Sequence, residues 1–267
     1  MCYYQTNAGK LHLGNCLDIL RGFPNDIIDL TITSPPYDDL REYDGYSFDF
    51  EPIADELYRV TSKGGVVVWV VSDQTVDGSE TGTSFKQALY FKEIGFNIHD
   101  TMIYLKPGFS SVGDLSVRYA QVFEYMFVFS KGKLKTFNPL KDRVCKRPDT
   151  VLKGTIRNPD GSTKRISTEG KISGKNGLGH RYNVWEINHQ ANGHPAPFPD
   201  VLVEGHILSW SNPGDLILDP FMGSGTTAKM SEKLKRNWIG CEISEKYCEL
   251  ASKRISEARR EVLTFGE

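Results

Sequence analysis

An apolar run that stops on an acid and then turns through two glycines into a helix leaves a chain few architectures to choose from. Residues 216–230, LILDPFMGSGTTAKM, have this form: 216–219 reads as a buried strand closed by Asp219, and 225–234 as the helix that follows the glycine turn. The same order recurs along the chain. Residues 27–32 form a β-branched strand ended by Pro35-Pro36, and 52–60 have apolar residues at helical spacing. Lys63-Gly64-Gly65 is expected to stop that helix before a strand over 66–71. Residues 72–84 read as a loop, 85–94 as a helix, and 100–105 and 125–129 as strands. Further on, 199–209 reads as a helix and 238–243 as a strand, with Ser244 expected to cap a last helix reaching about residue 259. Alternating strands and helices predict an α/β fold with a mostly parallel sheet.

The texture changes between 132 and 193, where Gly, Pro, Asn and basic residues dominate and neither period persists. The expectation is an α/β domain made of 1–131 and 194–267, with 132–193 as an insertion built of long loops. Net charge is -2, but the average conceals a segregation. Residues 131–181 hold 14 Lys and Arg against 4 Asp and Glu, a local +10, which leaves -12 elsewhere. Such a block is the electrostatic footprint of a polyanion site.

Five cysteines without a C-x-x-C pair suggest neither zinc nor a disulfide framework, and His180, His189 and His194 lack metal-ligand spacing; no metal is expected. No basic segment followed by an apolar core opens the chain, and its longest apolar run, 66–71, is too short to span a bilayer. A cytoplasmic protein with no membrane partner is the expectation.

The glycine turn carries neither G-x-x-x-x-G-K-[ST] nor G-x-G-x-x-G, so it lacks the usual grip on nucleotide phosphates. An acid at Asp219 would repel phosphates and suit a ligand with ammonium and sulfonium groups. Glu242 ends the next strand, where acids hydrogen-bond ribose hydroxyls in nucleoside-binding sheets. Together these features fit S-adenosyl-L-methionine better than a dinucleotide.

Ser34-Pro35-Pro36-Tyr37 resembles the catalytic motif of amino methyltransferases acting on exocyclic amines, and Asp219-Pro-Phe-Met-Gly-Ser-Gly-Thr226 resembles their S-adenosylmethionine motif. The catalytic motif comes first and a basic variable segment lies between, an order similar to the beta class of DNA amino methyltransferases. The resemblance implies a Rossmann-like class I methyltransferase fold with helices on both faces of the sheet and target recognition by 132–193. It also implies cofactor contacts from Asp219, Phe221, Gly223, Gly225, Thr226 and Glu242, from His194 and Phe198 in an H-P-x-x-x-P element, and from Asn15 where the family commonly has Asp. Double-stranded DNA is the implied partner, and a homodimer is compatible with the class. Lys141, Arg143, Lys146, Arg147, Lys153, Arg157, Lys164, Arg165, Lys171 and Lys175 are the candidate DNA contacts.

The chemistry suits those residues. A nucleobase amine is a poor nucleophile, so it must be held in line with the methyl group it attacks. The Ser34 hydroxyl and the Pro35 carbonyl would accept its two hydrogens; prolines fix φ and offer no competing N–H. Tyr37 would stack on a base flipped from the duplex, worth roughly 1–3 kcal/mol against a flipping cost of a few kcal/mol. Ser at the first motif position accompanies N4-cytosine methylation in the family, and Asp accompanies N6-adenine methylation. Cytosine is therefore the expected base and adenine the alternative. Methylation of RNA or of a protein amide, and a noncatalytic DNA-binding module, are the remaining readings.

Overall fold

In the computed structural model, which describes residues 1–36, 48–108, 115–146, 149–151, 154–165, 172–188 and 198–264, the apolar run 66–71 lies within a strand buried on both faces. That strand belongs to a nine-stranded sheet, whose members are numbered here in chain order. They are β1 (Cys2–Gln5), β2 (Gly9–Leu13), β3 (Ile28–Thr33), β4 (Thr61–Val71), β5 (Asn97–Leu105), β6 (Phe123–Ser130), β7 (Val184–Glu186), β8 (Leu216–Asp219) and β9 (Asn237–Glu242). Across the sheet the order is β1-β2-β9-β8-β3-β4-β6-β5-β7. From β2 to β4 all neighbours pair in parallel; β1 and β6 are the reversed strands.

Both faces of the sheet are covered, which is why β4 reads as an unbroken Val/Trp run rather than an alternation. One core gathers Val67, Trp69 and Val71 with Phe127 and Phe129, under Leu20 of α1 (Cys16–Arg21), Leu57 of α2 (Phe50–Val60) and Phe91 of α3 (Thr83–Glu93). A second joins Leu11 and Trp238 to Ala228 of α5 (Thr226–Lys233) and to Cys248, Ala251 and Ile255 of α6 (Glu245–Thr264). Helix α4 (Asp200–Trp210) buries Leu202, Val203, Ile207 and His206, and the His206 ring stacks on Trp185 of β7 at 4.6 Å. The α/β architecture with helices on both faces is thus the one expected.

Two local expectations give way. Lys63-Gly64-Gly65 is not a stop: β4 begins at Thr61 directly after α2, and the two glycines form a bulge within it. Gly64 has φ +78, and a Cβ there would lie 2.8 Å from the Lys133 carbonyl oxygen, so the bulge demands glycine. Residues 72–84 hold a short hairpin, Thr75–Val76 with Ser79–Glu80, rather than loop alone.

The chain divides into two compact units, residues 1–138 with 183–267, and residues 139–182. Inside that smaller unit short antiparallel pairs form between Arg143–Val144 and Leu178–Gly179, and between Thr155–Arg157 and Thr163–Arg165. Arg143 donates to the His180 carbonyl at 2.9 Å and lies over the Tyr182 ring, while Arg181 pairs with Asp142. Val184–Glu186, which follows, is β7 of the main sheet. The four buried cysteines, Cys16, Cys145, Cys241 and Cys248, are free thiols, and no helix among the described residues is long and apolar enough to cross a membrane.

Candidate active site

β3 leads through α2 to β4 on one side, and its neighbour β8 leads through α5 to β9 on the other. The carboxyl ends of β3 and β8 therefore flank a topological switch point, where open α/β sheets place their ligands. Ser34-Pro35-Pro36 leaves the end of β3, with Ser34 half-buried and Pro35 buried. The glycine turn leaves the end of β8. Two motifs far apart in the chain are thereby next to each other.

A carboxylate joins them. Asp219 is 3% exposed; it accepts hydrogen bonds from the Thr33 hydroxyl at 2.7 Å, the Thr227 hydroxyl at 2.7 Å and the Phe221 amide at 3.1 Å. Thr33 is the residue immediately before Ser34, and Thr227 is in the first turn of α5. So buried, Asp219 offers its surroundings a charge rather than an exposed oxygen. Burial raises its pKa to about 6, and the three donors oppose that shift without cancelling it.

Glu242, at the end of β9, is 9% exposed. It takes the Gly223 amide on one oxygen at 2.7 Å and the Ile243 and Ser244 amides on the other at 3.0 and 2.9 Å. A carboxylate has about four acceptor positions, so capacity for a ribose hydroxyl remains on the oxygen that holds Gly223. Burial also raises the Glu242 pKa, with the amides opposing. The turn between the two acids holds Gly225 at φ +81, where a Cβ would lie 2.8 Å from that of Ala251. Gly225→Ala is expected to cost roughly 2–5 kcal/mol from left-handed strain and crowding. Denaturant unfolding checks this, and a loss below about 1 kcal/mol would contradict the packing described.

Phe221 lies edge-on to Phe48 at 5.5 Å and to Trp69 at 6.3 Å, which anchors the outer part of the turn to the core. Thr226 is buried and Phe198 is half-buried just before α4. Asn15 caps α1, its side-chain oxygen accepting the Leu17 amide at 2.8 Å. Among the candidate DNA contacts Lys141, Lys146, Arg157, Lys164 and Arg165 are exposed. Tyr37, His194, Arg147, Lys153 and Lys171 lie outside the described residues, as does the side chain of Lys175.

One residue that no sequence pattern indicated supports the turn. Arg254 of α6, 13% exposed, donates to the Ser224 carbonyl at 2.6 Å, the Ser224 hydroxyl at 2.8 Å and the Thr226 hydroxyl at 3.1 Å, and pairs with Asp200. Lys229 also pairs with Asp200, at 2.5 Å. Lys229 and Arg254 are thus both paired with an acid, while two buried carboxylates flank the turn. That donor set fits a cationic nucleoside such as S-adenosylmethionine and not a nucleotide phosphate. Among the described residues no group of three His, Cys, Asp or Glu could hold a metal ion.

An open, mostly parallel sheet with acids at adjacent strand ends and a glycine turn between them is the frame of a Rossmann-like methyltransferase. A family model described as DNA methylase, covering N6 and N4 enzymes, matches residues 28–253. The chain belongs to that family, the S-adenosylmethionine-dependent DNA amino methyltransferases. The orphan methyltransferase M.BamHII of Bacillus amyloliquefaciens is 56% identical over 239 residues, 85% of this chain and 88% of its own length. The type II methyltransferase M1.MboII of Moraxella bovis is 33% identical across 91% of this chain and 95% of its own. Among solved structures, the cytosine-N4-specific PvuII DNA methyltransferase has a TM-score of 0.70 at 20% identity, covering 98% of this chain and 94% of that one. The M1.HpyAVI complex with S-adenosylmethionine has a TM-score of 0.63 at 22% identity, covering 92% and 98%; both are likenesses of fold.

Proposed function

We propose that the chain methylates the exocyclic N4 amine of a cytosine flipped out of duplex DNA at a specific sequence. The observation that carries this reading is the 2.7 Å hydrogen bond from Thr33 to Asp219, which ties the strand bearing Ser34-Pro35-Pro36 to the cofactor turn. S-adenosylmethionine supplies, when bound, a methyl group on a sulfonium. Gly223 and Glu242 would hold the nucleoside part, and the buried charge of Asp219 would favour the cation. Ser34 and the Pro35 carbonyl accept the two amine hydrogens and turn the nitrogen lone pair toward the methyl carbon. The transfer would form one N–C bond as the carbon–sulfur bond breaks with its electron pair staying on sulfur, and the proton the amine gives up would pass to solvent. Tyr37 provides the face on which the flipped base stacks.

Ser34 supports cytosine over adenine, because an N6-adenine enzyme of this class would be expected to carry Asp there. Adenine N6 is the second reading, since the same two acceptors fit either amine. Residues 132–193 are proposed as the target-recognition segment, with a homodimer as the proposed assembly. Tritiated methyl transfer tests the reading directly. Label in duplex DNA is the expected result; label only in RNA or protein, or retention of DNA with no transfer, would overturn it.

A further inference from the structure

Among the described residues of the smaller unit, one hairpin buries none of its strand side chains. Thr155–Arg157 and Thr163–Arg165 pair as an antiparallel hairpin in the register Thr155↔Arg165, Ile156↔Lys164, Arg157↔Thr163. All six side chains are exposed. An isolated two-stranded hairpin is marginal in water, so its order must come from elsewhere.

The tip supplies part of that order. The Asn158 amide donates to the Ser162 carbonyl at 2.7 Å, and the Gly161 amide donates to the Asn158 carbonyl at 2.9 Å. Asp160 takes the Ser162 amide at 2.9 Å and its hydroxyl at 2.6 Å, and the Asn158 side chain donates to the Ser162 hydroxyl at 2.9 Å. The single acid of the hairpin is therefore directed onto its own turn.

Side chains alternate between faces, so the register sorts the residues. Arg157 and Arg165 share one face with Thr155 and Thr163, while Lys164 and Ile156 share the other. The two arginines are diagonal neighbours, positions that lie roughly 7–8 Å apart. Both are exposed, and the one acid of the hairpin is bonded to its own turn rather than to either of them. A ligand with closely spaced acceptors suits such a pair.

We propose that this hairpin is the base-reading element, entering the major groove of the target duplex with Arg157 and Arg165 toward the base edges. The inference rests on the DNA methyltransferase reading and separates, among the candidate DNA contacts, those that specify sequence from those that bind phosphate. A two-stranded ribbon fits a major groove about 12 Å wide, and arginine forks onto the O6 and N7 acceptors of guanine. A diagonal of roughly 7–8 Å spans about two base-pair steps of roughly 3.4 Å each. Arg157 and Arg165 therefore read two guanines about two steps apart, with Thr155 and Thr163 beside them. Lys164, on the other face, contacts phosphate.

The test methylates a library of random duplexes with the full chain and its variants, then sequences the methylated sites. R157A and R165A are each expected to lose roughly 5- to 150-fold discrimination at one guanine position, the two positions differing. K164A should lower methylation evenly across sites and reduce the salt slope of binding by about one. R165K keeps the charge without the fork, and should lose discrimination while retaining the slope even if the alanine variants fold poorly. An unchanged site preference in R157A, R165A and R165K, with only a uniform loss of yield, would overturn the assignment. A wild-type chain that methylates no duplex DNA would instead overturn the function on which the assignment rests.

Discussion

Ser34→Ala is expected to lower methyl-transfer turnover by about 10²–10³-fold, the size of effect seen when one preorganised hydrogen bond to a reacting group is removed. S-adenosylmethionine affinity should stay within about twofold, since the proposed role of Ser34 is toward the target amine and not the cofactor. The distinction matters because Ser34 sits one residue from Thr33, whose hydroxyl is bonded to Asp219. A variant that merely loosened β3 would raise the cofactor dissociation constant as well. Single-turnover kinetics alongside cofactor titration separate the two outcomes, and unchanged turnover would remove Ser34 from the mechanism.

Asp219→Ala should be the most damaging single substitution to the fold of the site. It strands the Thr33 and Thr227 hydroxyls and the Phe221 amide. Each buried group left without its partner costs about 1–3 kcal/mol, so a loss of several kcal/mol is expected by denaturant unfolding. Asp219→Asn keeps the shape and one acceptor oxygen, and the rotatable Thr227 hydroxyl can accept from the new amide. It should therefore fold with little loss at neutral pH, yet bind the cationic cofactor more weakly because the buried charge is gone. Equal destabilisation by alanine and asparagine would contradict this account.

The pH dependence follows from the same group. Asp219 has a folded pKa of about 6 against an ordinary 3.8, so the folded protein holds its proton more tightly than the unfolded chain does. Its stabilising contribution is full below about pH 4 and is lost as pH rises through 6, a swing on the order of 2–3 kcal/mol. Glu242 acts with the same sign. In the ligand-free protein, Asp219→Asn should flatten the decline in stability between pH 4 and 6 that this group produces.

How much of this could be read from residues alone depended on how local the cause was. The strands β3, β4, β8 and β9 were legible because buried parallel strands carry continuous apolar runs, and the glycine turn because its acid and glycines fall within one short segment. By contrast β1 and β2 mix Tyr, Gln, Lys and His into half-exposed strands that show no clear period. Val184–Glu186 is three residues inside a Gly/Asn-rich stretch, and only its pairing with β5 makes it a strand. The Gly64 bulge looked like a stop because a glycine pair ends a helix as readily as it kinks a strand. In the site, Ser34, Asp219 and Glu242 stood out by motif. The bond between Thr33 and Asp219 spans 186 residues, and the grip of Arg254 on Ser224 spans 30. No local pattern encodes either.

The identity of the methylated base tests the central claim most directly. Duplex DNA treated with the chain and S-adenosylmethionine, digested to nucleosides and resolved by mass spectrometry, is predicted to yield N4-methylcytosine. N6-methyladenine alone would contradict the assignment of cytosine to Ser34. Methyl on carbon 5 of cytosine, or none at all, would contradict transfer to an exocyclic amine.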